Sequence, residues 1–354
     1  MLSTTHLKNE TIGQFIQELI IIPGIERPAP VDRPPRRHSP RPSPRDPDLT
    51  QDEDPIRFSD IGARLRAHRL GKGLTPEVLA EKLGISRAAL YRAEKGEIRK
   101  IEMLTSIADE LGVSLPSLLG VGVEYVSTSI GFFERMRQLE DDCQQIIGLF
   151  SPMSYLLTSD GYDDILKEVL LESIPEGTDP SGEAAEAVER LLEILHARKD
   201  AFRLRRPLIV SLISSADLER FLLHGLIGRH DLSPETTDHR RLMARREAEY
   251  LLSMLRDQPI GIQIGIVRGP VPATSFQIFR QTNRSVLAIS PFRLGEQPNV
   301  RLGVALITSA AEAMSLHEDI AERLWGDALK GAEAIAYLEA MIEKYAIAEP
   351  SASR

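Results

Sequence analysis

Cysteine is almost missing from this sequence. Cys143 is the only one in 354 residues, so no internal disulfide framework can form, which fits a reducing compartment. A lone thiol without a resolving partner is expected as a small buried hydrophobe rather than a redox sensor. Long apolar runs are missing too. The most apolar early stretch, Leu19–Ile22, is far too short to cross a bilayer. The opening residues, MLSTTHLKNETIGQF, lack the basic and apolar regions of a signal peptide. A soluble, cytoplasmic protein with no membrane partner is therefore expected. No internal repeat stands out. What is present is enough for real cores: 42% of residues are hydrophobic, and the length suggests two domains with tails and linkers. The net charge of −9 argues against a uniformly basic protein, but a phosphate backbone feels the local balance, not the total.

Composition divides the chain. Residues 1–22 read as a short amphipathic helix or tail, with Ile12, Phe15, Ile16 and Leu19 on one face. Residues 23–57 hold ten of the 23 prolines together with Arg33, Arg36, Arg37, Arg41 and Arg45. Proline at this density prevents helix and sheet ladders, so a disordered linker is expected. Residues 58–120 are a helical module. Residues 121–197 are expected as a helical, acidic connector or dimerisation region. Its first part, 121–150, places Val126, Ile130, Phe133, Met136, Cys143 and Ile146 at helical spacing, and a break falls at 174–182. Residues 198–346 read as a mixed α/β domain. Strand-like runs occur at 208–214, 260–267, 274–280, 285–290 and 300–308, and helices at 216–227, 240–257 and 311–345. The expected fold class is therefore multidomain: an all-α helix-turn-helix domain, a helical connector and a mixed α/β C-terminal domain.

Boundaries within the helical module carry physical signals. A first helix runs from about Phe58 to Leu70 and is broken by Gly71-Lys-Gly73. Thr75 is placed to cap a second helix, with Pro76 at its first position and Leu74 and Leu79 spaced as a hydrophobic staple. Gly84 stops it, Ser86 caps a third helix from Arg87 to Lys95, and Ile85 with Leu90 repeats the staple. Two capped helices around a Gly84-Ile85 corner make a helix-turn-helix. A fourth helix spans Lys100–Leu111, and Ser114 begins a last short turn. In the third helix Leu90 and Ala93 face inward. Arg87, Ala88, Tyr91 and Arg92 are exposed and are the candidate base readers, since arginine meets guanine O6 and N7 in two bonds. Thr75, Ser86, Lys95, Arg99 and Lys100 are the candidate phosphate contacts. The module holds ten basic residues against eight acidic ones, reversing the sign of the whole chain.

The segment LTPEVLAEKLGISRAALYRAEKGEIRKIEMLTSIADELGVSLPSLL resembles the lambda-repressor-like, XRE-type helix-turn-helix family. Its landmarks are Leu74, Ala80, Leu83, Gly84, Ser86, Leu90, Glu94, Gly96, Leu104, Ala108, Leu111 and Gly112. The resemblance implies binding to double-stranded DNA. It departs from the family at Pro76, where a glutamine able to touch DNA often stands; proline cannot make that contact.

Other chemistries find little support. His317-Glu318 opens a zinc-protease motif, but Ala321 and Glu322 stand where the second histidine is needed. His317 is expected to be structural. His224, His230 and His239 are irregularly spaced and are expected at the surface. No His-x-His pair of a cupin, no Ser–Lys dyad of a self-cleaving repressor and no His-x-Lys-x4-Asp of a phospholipase-D-like domain is present. Arginines from Arg203 to Arg246 are expected to pair with the acidic 134–193 stretch rather than to bind an anion. The sequence thus points to a non-enzymatic, dimeric DNA-binding repressor without cofactor or metal. Its C-terminal domain would sense a small-molecule effector or mediate oligomerisation. The alternatives are an interaction platform with no ligand and, less favoured, an enzyme targeted to DNA.

Overall fold

The computed structural model describes residues 58–98, 100–177, 179 and 181–348. The expected segments 1–22 and 23–57 lie outside the described residues. Five helices form first: α1 (Phe58–Gly71), α2 (Pro76–Lys82), α3 (Arg87–Glu94), α4 (Ile101–Leu111) and α5 (Leu115–Leu119). Their boundaries follow the caps read from the sequence. Thr75 Oγ1 accepts from Val78 N at 3.3 Å, and Ser86 Oγ accepts from Ala89 N at 3.2 Å, satisfying amide donors that a helix start leaves unpaired. Gly84 takes a left-handed φ of +64° with open space around it, so the corner needs glycine for its backbone alone. Ile61, Leu65, Leu79, Leu90, Ile107, Leu111 and Leu118 meet in one buried core. At Gly62 an added Cβ would lie 2.5 Å from the Glu94 carbonyl oxygen, so α1 rests directly on the end of α3.

A second architecture follows after only three residues. β1 (Val123–Val126), α6 (Ser129–Glu140), β2 (Cys143–Phe150), α7 (Gly161–Glu172), α8 (Glu183–Arg205), β3 (Leu208–Ser214), α9 (Ser215–His224), α10 (Pro234–Asp257), β4 (Ile262–Val267), β5 (Ser275–Gln281), β6 (Ser285–Ser290), β7 (Ala305–Thr308), α11 (Ala311–Asp327) and α12 (Gly331–Tyr345) complete the chain. The seven strands form one mixed sheet in the order β1-β7-β6-β5-β2-β3-β4. β2, β3 and β4 are parallel; β5 runs antiparallel beside β2, and the remaining pairs are antiparallel. One face carries the large core, where Ile146, Ile209, Ile213 and Phe279 pack with residues of α6, α7, α8, α9, α10 and α12. The other face packs Leu149, Leu212, Phe276 and Ile278 against α11 alone, through Met314, Ala321 and Leu324.

Four expectations are corrected here. The helix expected over 121–150 is strand, helix and strand, with only Ile130, Phe133 and Met136 of the proposed stripe on α6. Residues 121–197 are consequently not a helical connector, because they supply β1 and β2, the latter central to the sheet. Short apolar runs such as Ile146–Phe150 satisfy helical and strand templates alike, and long-range pairing with β3 and β5 decides the outcome. The helix expected over 311–345 is interrupted: Leu329 exchanges backbone hydrogen bonds with Ile266 at 3.0 and 2.9 Å, and Gly331 turns the chain at φ +51°. The strand expected at 300–308 keeps only its last four residues.

Among the described residues no helix is long and apolar enough to cross a membrane. Cys143 is half-buried; its thiol donates to the Gln145 carbonyl at 3.0 Å, and burial pushes its pKa up to about 12.

Candidate nucleic-acid interface

Helix α3 presents two sides. Leu90 and Ala93 are fully buried, whereas Arg87, Ala88, Tyr91, Arg92 and Lys95 are exposed. The division follows helical period: positions 90 and 93 point at α1 and α2, and the others lie on the far side. Truncating Leu90 would remove a core side chain at a cost of about 2–5 kcal/mol, so the exposed set is held on a well-packed frame. Lys95 sits one turn beyond Tyr91, its Nζ 4.7 Å from the ring centroid. Thr75 and Ser86, the caps of α2 and α3, are exposed, and Lys100 is exposed before α4. Arg99 lies outside the described residues.

The ten basic residues counted in the sequence are not equally available. Arg69 is buried; its Nε and Nη2 meet both oxygens of Glu94 at 2.5 and 3.3 Å, and Nη1 donates to the Leu74 carbonyl at 2.7 Å. Arg64 is also buried, at 3.1 Å from Glu124. Lys82 is paired with Glu110 at 2.6 Å. Of what remains exposed and basic, Arg87, Arg92 and Lys95 lie on α3 or at its end and Lys100 before α4, whereas Arg66 on α1 faces Glu134 and Lys72 follows α1. One feature was not visible in the sequence: Arg87 Nε lies 2.8 Å from Glu77 Oε1, across the turn on α2. Glu77 is held below the usual carboxylate range by its own backbone N–H, with the Thr75 side chain and Arg87 adding to the effect against slight desolvation.

Behind this surface, α1 is fastened to the sheet domain by buried charge. Glu124 on β1 accepts from Arg64 and from Arg135 of α6, at 3.1, 2.8 and 3.0 Å. Burial pushes its carboxyl up, and the two guanidiniums more than offset that, leaving it below the usual range. His68 lies beside them with Nε2 3.9 Å from Glu124 and no hydrogen-bond partner; burial lowers its pKa. Gln138 Nε2 donates to the Ala63 carbonyl at 3.1 Å, and Arg284 pairs with Asp60 at 2.5 Å.

Outside the helical module the sequence-selected histidines separate as expected by position. His224, His230 and His239 are exposed. His317 is half-buried, edge-on to Phe276 at 5.3 Å, with Nδ1 donating to the Ala313 carbonyl at 2.9 Å. Among the described residues no three His, Cys, Asp or Glu side chains are grouped to hold a metal. Several C-terminal arginines do turn to the acidic stretch: Arg203 to Asp160, Arg205 to Asp141 and Arg240 to Glu168.

Residues 60–119 match a helix-turn-helix domain family. No curated protein matches the chain. Among solved structures, the clp gene regulator ClgR from C. glutamicum is 34% identical, over 19% of this chain and 87% of that one, with a TM-score of 0.18. The apo form of ComR from S. thermophilus is 17% identical over 57% of this chain and 74% of its own, with a TM-score of 0.17. The apo competence regulator ComR from Streptococcus vestibularis is 19% identical over 56% and 69%, also at 0.17. These superpositions are poor, so the assignment rests on the matched domain and not on overall shape. Residues 60–119 are thus a helix-turn-helix domain.

Proposed function

We propose that this protein is a sequence-specific, XRE-type transcription regulator that binds double-stranded DNA as a homodimer and represses by occupying its site. The observation that carries the reading is the two-sided α3: Leu90 and Ala93 are sealed in the core while Arg87, Ala88, Tyr91 and Arg92 stand outward on a capped helix. In the major groove those four read base edges, the arginines by paired bonds to guanine. Thr75, Ser86, Lys95, Arg99 and Lys100 hold phosphates and fix register. Two copies are invoked because one module reads few base pairs and a two-fold site doubles the reading. The α/β domain is assigned the sensing of a small molecule, not catalysis, and shifts the DNA-binding equilibrium by binding one state better.

The test is selection from a random DNA pool at physiological salt, with wild type and the Arg87→Ala/Arg92→Ala double variant. Enrichment of a two-fold motif by wild type alone supports the reading. Equal enrichment by both would remove α3 from the base-reading role.

A further inference from the structure

The sheet reverses its growth at β2. From there the chain adds β3 and β4 on one side, then returns to lay β5 on the other. In open α/β sheets such a reversal leaves a crevice beyond the carboxyl ends of the parallel strands, where ligands bind. A crevice of about 400 Å³ opens at that place, between the end of β2, the first turns of α9, the segment leading into β5 and the chain leaving β6. A smaller cavity of about 60 Å³ adjoins it, sharing Phe150, Ser151, Ser275 and Arg293. Its deeper walls are aromatic and include Phe132 and Phe133 of α6.

Two polar groups at this junction keep bonding capacity to spare. Arg293 is exposed on the rim of both cavities; its Nε donates to the Gln297 carbonyl at 3.1 Å, and it forms no ion pair among the described residues. Arg220, across the crevice, is by contrast already paired with Asp217 and Glu296. The second group is the Tyr155 hydroxyl in the small cavity, buried and without a hydrogen bond of ordinary geometry, with the Asp163 carboxylate near it. A buried donor left without a partner is destabilising unless something accepts from it. A cation on the rim and a donor in the depth, with serine hydroxyls and apolar walls between them, describe the two ends of one ligand.

We propose that this crevice is the effector site and that it takes a small organic anion, a carboxylate or phosphate ester, whose charge meets Arg293 and whose body reaches inward toward Tyr155. This inference rests on the sensor reading of the α/β domain. It also supplies a route to the DNA-binding module. α6 carries Phe132 and Phe133 to the cavity on one side and Glu134 and Gln138 to α1 on the other, where they meet Arg66 and the Ala63 carbonyl.

The experiment is thermal unfolding of the full chain with phenyl phosphate, benzoate or inorganic phosphate, for wild type, Arg293→Gln and Arg268→Gln. Arg268 is an exposed arginine outside the crevice. A ligand at ten times its Kd should raise Tm by about 2 °C or more. The expected result is a rise with phenyl phosphate or benzoate in wild type and Arg268→Gln, and none in Arg293→Gln. A rise that survives in Arg293→Gln, or no rise with any of the three in wild type, overturns the site. A response to inorganic phosphate alone overturns the organic body of the ligand. The same preparations go through the DNA selection. Wild type that enriches DNA yet ignores all three anions sinks this site and leaves the regulator reading standing, whereas an anion response without DNA enrichment does the reverse.

Discussion

Glu77 and Arg87 are joined across the turn of the helix-turn-helix, Oε1 to Nε at 2.8 Å, although both are exposed. An exposed pair of this kind contributes little to stability, so its weight falls on function. On the proposed reading it places a carboxylate where phosphates would arrive, and it engages the first arginine of α3. Glu77→Gln is expected to tighten binding to random DNA severalfold. It should also steepen the dependence of log Kobs on log salt by about one unit. Fluorescence anisotropy between 50 and 200 mM salt reads both (roughly the range over which phosphate contacts are felt). An unchanged slope would mean that breaking the pair frees no charge for the phosphates.

Arg92 and Lys95 are exposed on the same helix, but their expected losses differ in kind. Arg92→Ala, like Arg87→Ala, should lose about 1–3 kcal/mol on the specific site and relax the preference at one base. Lys95→Ala should weaken specific and random DNA alike and reduce the salt slope by about one. Titrating both DNAs with each variant separates the roles, and equal losses for Arg92→Ala would make it a phosphate contact.

Glu124 holds two buried guanidiniums, so Glu124→Gln leaves Arg64 and Arg135 facing each other without a counter-charge. Breaking a buried pair from one side costs about 3–5 kcal/mol. Urea unfolding should show that loss at unchanged m-value. A loss below about 1 kcal/mol would show that water reaches these groups and that the pairs behave as surface ones.

His68 gives a pH dependence whose sign is fixed. Burial lowers its folded pKa below the ordinary 6.5, so the unfolded chain binds the proton more readily. The stability it contributes is present above about pH 6.5 and is lost as pH falls through that value toward the folded pKa. Glu140 and Glu247 are raised by burial and act in the opposite sense, losing stability as pH rises above the carboxylate range. The comparison is therefore between wild type and His68→Gln from pH 7.5 to 5. Wild type should weaken relative to the variant on the acid side, and parallel profiles would show that His68 titrates alike in both states.

The helical module was legible in the sequence because its signals are local. Thr75 with Pro76, Ser86 with Leu90, and Gly84 each act within one turn of chain, and each stands where the spacing placed it. β2 was not legible: Ile146 and Ile147 fit a helix until β3 and β5 claim their backbone on both sides. The Glu77–Arg87 pair joins two helices, and the burial of Arg64 depends on a strand sixty residues away. The crevice at the end of β2 depends on strand order, which no window of sequence contains.

The way α1 is held has a consequence for spacing on DNA. Three residues separate α5 from β1, and Asp60, Arg64 and the Ala63 carbonyl are fastened to the sheet domain directly. A reading head on a loose tether follows half-sites that are moved apart; one bolted to its body cannot. Each inserted base pair shifts a half-site by about 3.4 Å and turns it by about 35°, more than side chains on α3 can follow. If two copies pair as proposed, the pair would work as a fixed caliper, and its operators should tolerate changes of base at single positions far better than insertion of one pair between half-sites.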